Sequence, residues 1–336
     1  MKKRYRASAW TKSFERSLAA LSRSAVRSGT RAVKAALKPV RPKRTPAPAL
    51  AGAWLPGVAM GAAGARRFRL YRPPGLALGE RLPVLVMLHG CGQDANGFAA
   101  STRMNRIALR ERFLVLYPEQ DRLANGQGCW NWYDTSSGRA YGEAALILKA
   151  IDQVCLLHQG DRTRVAIAGL SAGASMAALL VARHPERFKA VVMHSGVAPG
   201  TAHSTLSALG AMQGRRATKP LAVTPLTMAA DWPPLLVIHG DADLVVSPQN
   251  GRAAAQAWAD AAQATAAVAR SVQRGKRHAM SVTDFKRRGA TVARLVSVAR
   301  LGHAWSGGAA SQPFSDGQGP DASRMIWAFA ARQFRS

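Results

Sequence analysis

Apolar runs of strand length recur along the chain, separated by longer segments with helix-like composition. The runs cover residues 83–88 (PVLVML), 113–117 (FLVLY), 165–168 (VAIA), 190–195 (AVVMHS), 234–239 (PLLVIH) and 291–299 (TVARLVSVA). Few polar residues interrupt them, the pattern of strands buried on both faces. Residues 142–157 and 174–184 have the length and composition of crossover helices, and the alanine-rich stretch 253–269 reads as a further helix. This alternation predicts an α/β fold with a mainly parallel central sheet. No internal repeat is visible.

The pattern is absent from the first 50 residues, which carry 14 Lys and Arg against the single acid Glu15. Residues 39–48 (PVRPKRTPAP) cannot continue a helix and read as an extended linker. The expected organisation is therefore a basic arm with a proline-rich linker over 1–50 and one catalytic domain over 51–336. With 336 residues and 48% hydrophobic content, the chain can bury a full core. The formal charge of +29 leaves +16 on the body once the arm is subtracted, so basicity belongs to the whole molecule. Such a field favours anionic surfaces. Leu18, Leu21, Val26 and Val33 fall among the arm's charges, as in a helix lying on a membrane or granule surface. Zinc-finger spacing and an aromatic RNA-binding signature are lacking, so no specific nucleic-acid recognition is expected. No stretch is apolar enough to span a bilayer. The N-terminus lacks the compact apolar core of a secretory signal, so the expected location is cytoplasmic or granule-associated, with an extracellular one as the alternative. Oligomeric state is not legible.

In open parallel sheets, ligands bind beyond the carboxyl ends of the strands. The sequence places HGCGQ (89–93) after the first strong strand, GLSAG (169–173) after residues 165–168, GDAD (240–243) after 234–239 and GHAW (302–305) after the last run. GLSAG between a strand and a helix fits a nucleophile elbow, a strained turn that needs small neighbours around its serine. Serine, acid and histidine then follow in the chain order of an α/β-hydrolase. The candidate nucleophile is Ser171 and the candidate base His303, while Asp241 and Asp243 compete as the acid. The oxyanion donors would be the Ala172 N–H and an N–H of the loop after the first strand, that of Cys91. His89, His194 and His239 read as structural histidines bonded to backbone. Three cysteines without metal-ligand spacing imply no metal, and Cys155 reads as a small buried hydrophobe. No dinucleotide fingerprint or other cofactor motif is present.

Six segments together resemble the poly(3-hydroxybutyrate) depolymerase-like esterases of the α/β-hydrolase superfamily: LHGCGQ (88–93), GCWNWYD (128–134), GEAALI (142–147), GLSAGASM (169–176), HGDADLVV (239–246) and GHAWSGG (302–308). The resemblance covers about residues 65–330. It implies an α/β-hydrolase fold with helices on both faces of the sheet, and a serine esterase acting on short-chain poly- or oligo(3-hydroxyalkanoate) esters. The family's spacing selects Asp243 over Asp241. The segments holding Cys91 and Cys129 lie beside the active site in the family, which points to a disulfide between them. Trp305, two residues from His303, is expected to wall the substrate subsite together with Trp130 and Trp132. No separate substrate-binding domain or long lid is visible, a departure from the large secreted depolymerases that counts against crystalline polymer as substrate. Related members act on feruloyl or acetyl esters, the alternative reading within this class. The alternative from another class is a non-catalytic binder of anionic surfaces working through the arm.

Overall fold

The computed structural model describes residues 52–216 and 232–335. The arm over 1–50 lies outside the described residues. Strands β1 (Ala53–Gly61), β2 (Gly64–Arg72) and β3 (Leu82–Leu88) come first, followed by helices α1 (Ala95–Thr102) and α2 (Met104–Glu111) and strand β4 (Leu114–Pro118). Helix α3 (Arg139–Leu157), β5 (Gly160–Leu170), α4 (Ala172–Arg183), β6 (Ala190–His194), α5 (Thr205–Met212), β7 (Leu235–Gly240) and α6 (Gln249–Ala261) continue the alternation. Strands β8 (Thr265–Ala266), β9 (Arg270–Val272), β10 (Met280–Arg287) and β11 (Ala290–Val298) follow, then the short pair β12 (Trp305–Ser306) and β13 (Ser315–Asp316), and α7 (Ala322–Gln333).

One sheet runs in the order β1-β2-β4-β3-β5-β6-β7-β11-β10-β8, with β9 also paired to β10. From β4 through β11 every neighbouring pair is parallel, while β1–β2, β2–β4 and β10–β11 are antiparallel. Two cores form because successive side chains of a strand point to opposite faces. Val84, Val86 and Leu88 of β3 pack with α3, α4 and α6, whereas Leu85 and Met87 pack with α1, α2 and α7. Both faces are covered, which explains why the parallel strands are unbroken apolar runs. This is the α/β-hydrolase fold.

Two expectations are corrected in detail. The alanine-rich helix predicted over 253–269 is α6, Gln249–Ala261, and it stops early: Gln263 takes a positive φ of 54° and the chain turns back so that β8 pairs with β10. Alanine permits the helix but does not extend it once a turn and a strand edge compete. The sheet also extends beyond the predicted strands, since β1, β2 and β10 carry Pro56, Arg66 and Asp284 at positions a periodic reading takes for breaks. Among the described residues, no helix is long and apolar enough to cross a membrane.

Candidate active site

Ser171 sits between β5 and α4 with φ 56° and ψ −119°, a conformation that non-glycine residues rarely adopt. Its neighbours explain how the turn is held. A Cβ on Gly169 would come within 2.3 Å of the Gly173 backbone, and one on Gly173 within 2.2 Å of the Leu88 carbonyl oxygen. Glycine at both positions therefore lets the elbow close on itself and on the end of β3.

The histidine and the acid arrive from two other strand ends. His303, in the loop after β11, lies with Nε2 2.9 Å from Ser171 Oγ and Nδ1 2.8 Å from Asp243 Oδ2. Asp243 follows β7; its Oδ1 accepts from the Val245 and Val246 amides at 3.0 and 2.9 Å. Burial opposes its charge, but hydrogen bonds from His239 and His303 outweigh that and hold the carboxyl well below the ordinary range. An ionised Asp243 makes Nδ1 of His303 the donor, leaving Nε2 free to accept the serine proton. Asp241, the competing acid, points elsewhere: Oδ1 accepts the Arg300 N–H at 2.7 Å and ties the two loops together.

The loop after β3, expected to hold an oxyanion donor, packs against the serine; a Cβ on Gly90 would lie 3.6 Å from Ser171 Cβ. Gly90 N–H donates to Gln93 Oε1 and Gly92 N–H to the Gln127 carbonyl, so the amides on either side of Cys91 are committed. Ala172 opens α4, so its N–H has no acceptor within the helix. Cys91 and Cys129 are joined in a disulfide, and Cys155 is a buried free thiol. Among the described residues, no group of His, Cys, Asp or Glu side chains is arranged to hold a metal ion.

His89, His194 and His239 serve the scaffold. His89 Nδ1 donates to the Gly90 carbonyl and Nε2 accepts the Gln120 N–H. His194 Nε2 accepts from the Ser306 amide, and His239 Nε2 donates to the Val246 carbonyl. Burial drives His89 down to about 4 and His194 to about 3, so both rings are neutral.

The tryptophan expectation is corrected. Trp130 and Trp305 are wholly buried. Trp130 donates Nε1–H to the His89 carbonyl; Trp305 stacks on His194 and donates to Ser323 Oγ. Rings enclosed on all sides and hydrogen-bonded to the scaffold cannot wall a substrate. Trp132, also in the core, meets Tyr133 edge to face and is 8% exposed.

Glu143 is a further buried acid that the sequence pattern does not single out. Buried at the start of α3, it accepts from Gln120 Nε2 at 2.7 Å and from Asn131 N and Nδ2 at 2.9 and 2.6 Å, beside Arg66. Gln120 in turn donates to the Cys129 carbonyl. The carboxylate thus anchors the 129–131 segment that the disulfide joins to the loop after β3. Its only visible signal was an acid inside the otherwise apolar GEAALI.

An elbow serine, a histidine and an acid at three strand ends of this fold place the chain among the α/β-hydrolases. It belongs to the esterase PHB depolymerase family, whose model matches residues 66–278. It is 31% identical over 175 residues to poly(3-hydroxyalkanoate) depolymerase C of Paucimonas lemoignei, covering 50% of this chain and 42% of that protein. Feruloyl esterase B of Thermothelomyces thermophilus is 28% identical over 195 residues, covering 53% of this chain and 65% of the relative. The matches thus span less than two thirds of either relative's length. Among solved structures, acetyl xylan esterase from Aspergillus awamori superposes with a TM-score of 0.61 at 17% identity, covering 83% of this chain and 99% of that one.

Proposed function

We propose that the protein is a serine esterase that hydrolyses carboxylic esters through an acyl-enzyme, with short-chain oligo- or poly(3-hydroxyalkanoate) esters as the favoured substrates. The observation that carries the reading is the continuous chain from Ser171 Oγ through His303 to Asp243, at 2.9 and 2.8 Å. Ser171 Oγ attacks the ester carbonyl as His303 Nε2 takes its proton; Asp243 holds the ring's orientation and stabilises the imidazolium. The Ala172 and Cys91 amides receive the oxyanion, a contribution of about 3 kcal/mol for each donor. His303 returns the proton to the leaving alcohol, and water then releases the acid by the same steps in reverse.

The depolymerase relative supports the polyester reading. Feruloyl and acetylxylan esterases among the relatives favour a second reading, hydrolysis of aromatic or acetyl esters. Kinetics on p-nitrophenyl esters of increasing acyl length, 3-hydroxybutyrate oligomers and methyl ferulate separates the two. Preference for the oligomers supports the first reading, preference for ferulate or acetate the second, and absence of any turnover removes both. Residues 1–50, with their excess of basic side chains, are assigned to electrostatic attachment to an anionic granule or membrane surface. Removing them should abolish salt-reversible co-sedimentation with anionic vesicles and leave hydrolysis of soluble esters unchanged.

A further inference from the structure

Away from the serine, a cleft of about 610 Å3 opens between α7 and the face of the sheet formed by β9, β10 and β11. Strand register explains its floor. Val282 of β10 pairs with Val296 of β11, and Met280 with Val298, so these side chains form apolar rows on one face. Leu236 of β7 and Phe329 of α7 complete this buried base, and the partly exposed Val272 of β9 and Met325 of α7 form the apolar surface that the cleft presents. One step along β10 the row changes character, because Asp284 pairs with Arg294.

Six arginines line the walls: Arg270, Arg274 and Arg277 from the β9 edge, Arg294 from β11, and Arg324 and Arg332 from α7. Four are already engaged. Asp284 grips both Arg270 and Arg294, Arg277 donates to the Gly319 carbonyl, and Arg324 pairs with Asp321 at 3.5 Å. Among the described residues, Arg274 and Arg332 meet no carboxylate. With Asp284 and Asp321 counted, the cleft keeps a formal excess of four positive charges.

This surface repels the obvious occupants from the same molecule. The basic N-terminal residues and a second copy at +29 carry the wrong sign. The volume lies within the range of small-ligand sites, and an apolar floor with a few convergent charged groups is their usual composition. Two free guanidiniums match a dianionic phosphate monoester better than a singly charged carboxylate, since each can present a fork of N–H donors to the phosphate oxygens. Arg294, at the middle of β11, pairs with Leu236 near the amino end of β7. Four further residues of strand, roughly 13 Å, separate Arg294 from the end where His303 follows. The cleft is therefore distinct from the proposed ester site.

We propose that this cleft binds an amphiphilic phosphate monoester, its aliphatic tail against Val272 and Met325 and its phosphate between Arg274 and Arg332.

Calorimetry on the full chain, with octyl phosphate, octanoate and inorganic phosphate as separate probes, tests it. Octyl phosphate should bind one per chain and about tenfold or more tighter than either other probe, a difference that needs both head and tail. The double variant Arg274→Gln/Arg332→Gln should weaken it about tenfold, while Arg67→Gln/Arg252→Gln, which removes equal charge elsewhere, should change it less than about twofold. Circular dichroism and hydrolysis of a soluble ester, unchanged in both variants, establish that they are folded. Equal losses in the two variants, or octanoate or inorganic phosphate binding as tightly as octyl phosphate, overturn the proposal.

Discussion

The Arg300 amide donates to the Asp241 carboxylate at 2.7 Å, joining the loop that carries Asp243 to the loop that carries His303. Two acids separated by one residue thus have different work. One faces the histidine and the other holds the two loops in register.

Asp241→Ala should therefore cost about 1 kcal/mol of stability, the worth of one partly exposed hydrogen bond, and lower kcat by no more than about tenfold through looser loop placement. Asp243→Asn should lower kcat about 10⁴-fold, because the amide favours the wrong histidine tautomer. Steady-state kinetics on a p-nitrophenyl ester beside urea unfolding separates the two. Equal activity losses would show that the acids had been assigned wrongly.

Ser171 and Ser175 differ in the same way. Ser175 is buried in α4, where its hydroxyl accepts from the Val197 amide at 2.8 Å and bonds the Ser171 carbonyl at 3.3 Å. Ser175→Ala leaves a buried N–H unpaired and should destabilise the fold by about 1–3 kcal/mol while folded enzyme keeps most of its activity. Ser171→Ala should lower turnover by about 10³-fold or more and leave stability unchanged. Active-site titration normalised to folded protein gives the comparison; full activity in Ser171→Ala contradicts the nucleophile assignment.

The disulfide between Cys91 and Cys129 spans 38 residues of sequence. Loop-closure entropy assigns such a bridge about 4 kcal/mol. Denatured, unreduced protein should titrate one thiol per chain, that of Cys155. Reduction should lower the unfolding midpoint and reduce kcat more than it raises KM, since the loop it loosens is the one proposed to supply an oxyanion donor rather than a general binding surface. Three thiols in unreduced protein would remove the bond and this prediction together.

Acid should destabilise the protein well before its carboxylates titrate. His89 and His194 are lowered from 6.5 to about 4 and about 3 by burial. Below pH 6.5 the unfolded chain takes protons that the folded one refuses, so their contribution is complete above that value. It falls as pH drops, until about 4 for one ring and about 3 for the other. Each ring adds a slope of about 1.4 kcal/mol per pH unit inside its window. Asp243, depressed in the folded state, adds its own loss at still lower pH as it protonates. Urea midpoints at pH 8, 7, 6 and 5 read this directly: level from 8 to 7, then declining. Equal midpoints at pH 7 and 5 would contradict it.

How legible the molecule was depended on whether a residue's role is set locally. The parallel strands are apolar on both faces, so 83–88 and 234–239 stand out without context. The elbow's glycines and the strand-end histidine are readable for the same reason, since strand, turn and helix are adjacent in sequence. Strand β2 was illegible because buried Arg66 is made tolerable by Glu143 and Gln120, residues far along the chain. The tryptophans misled because proximity to His303 in sequence says nothing about direction, and Trp305 turns inward onto His194. Glu143 was hidden for a related reason: its partners become neighbours only after folding.

The clearance at Gly173, where a side chain would collide with the Leu88 carbonyl, has one more implication. The elbow and the end of β3 abut through main chain at this point. A displacement of one is transmitted undiminished to the other. Adaptation to a new ester must therefore proceed at the periphery, by reshaping what surrounds the reacting atoms, while the atoms themselves keep a common frame.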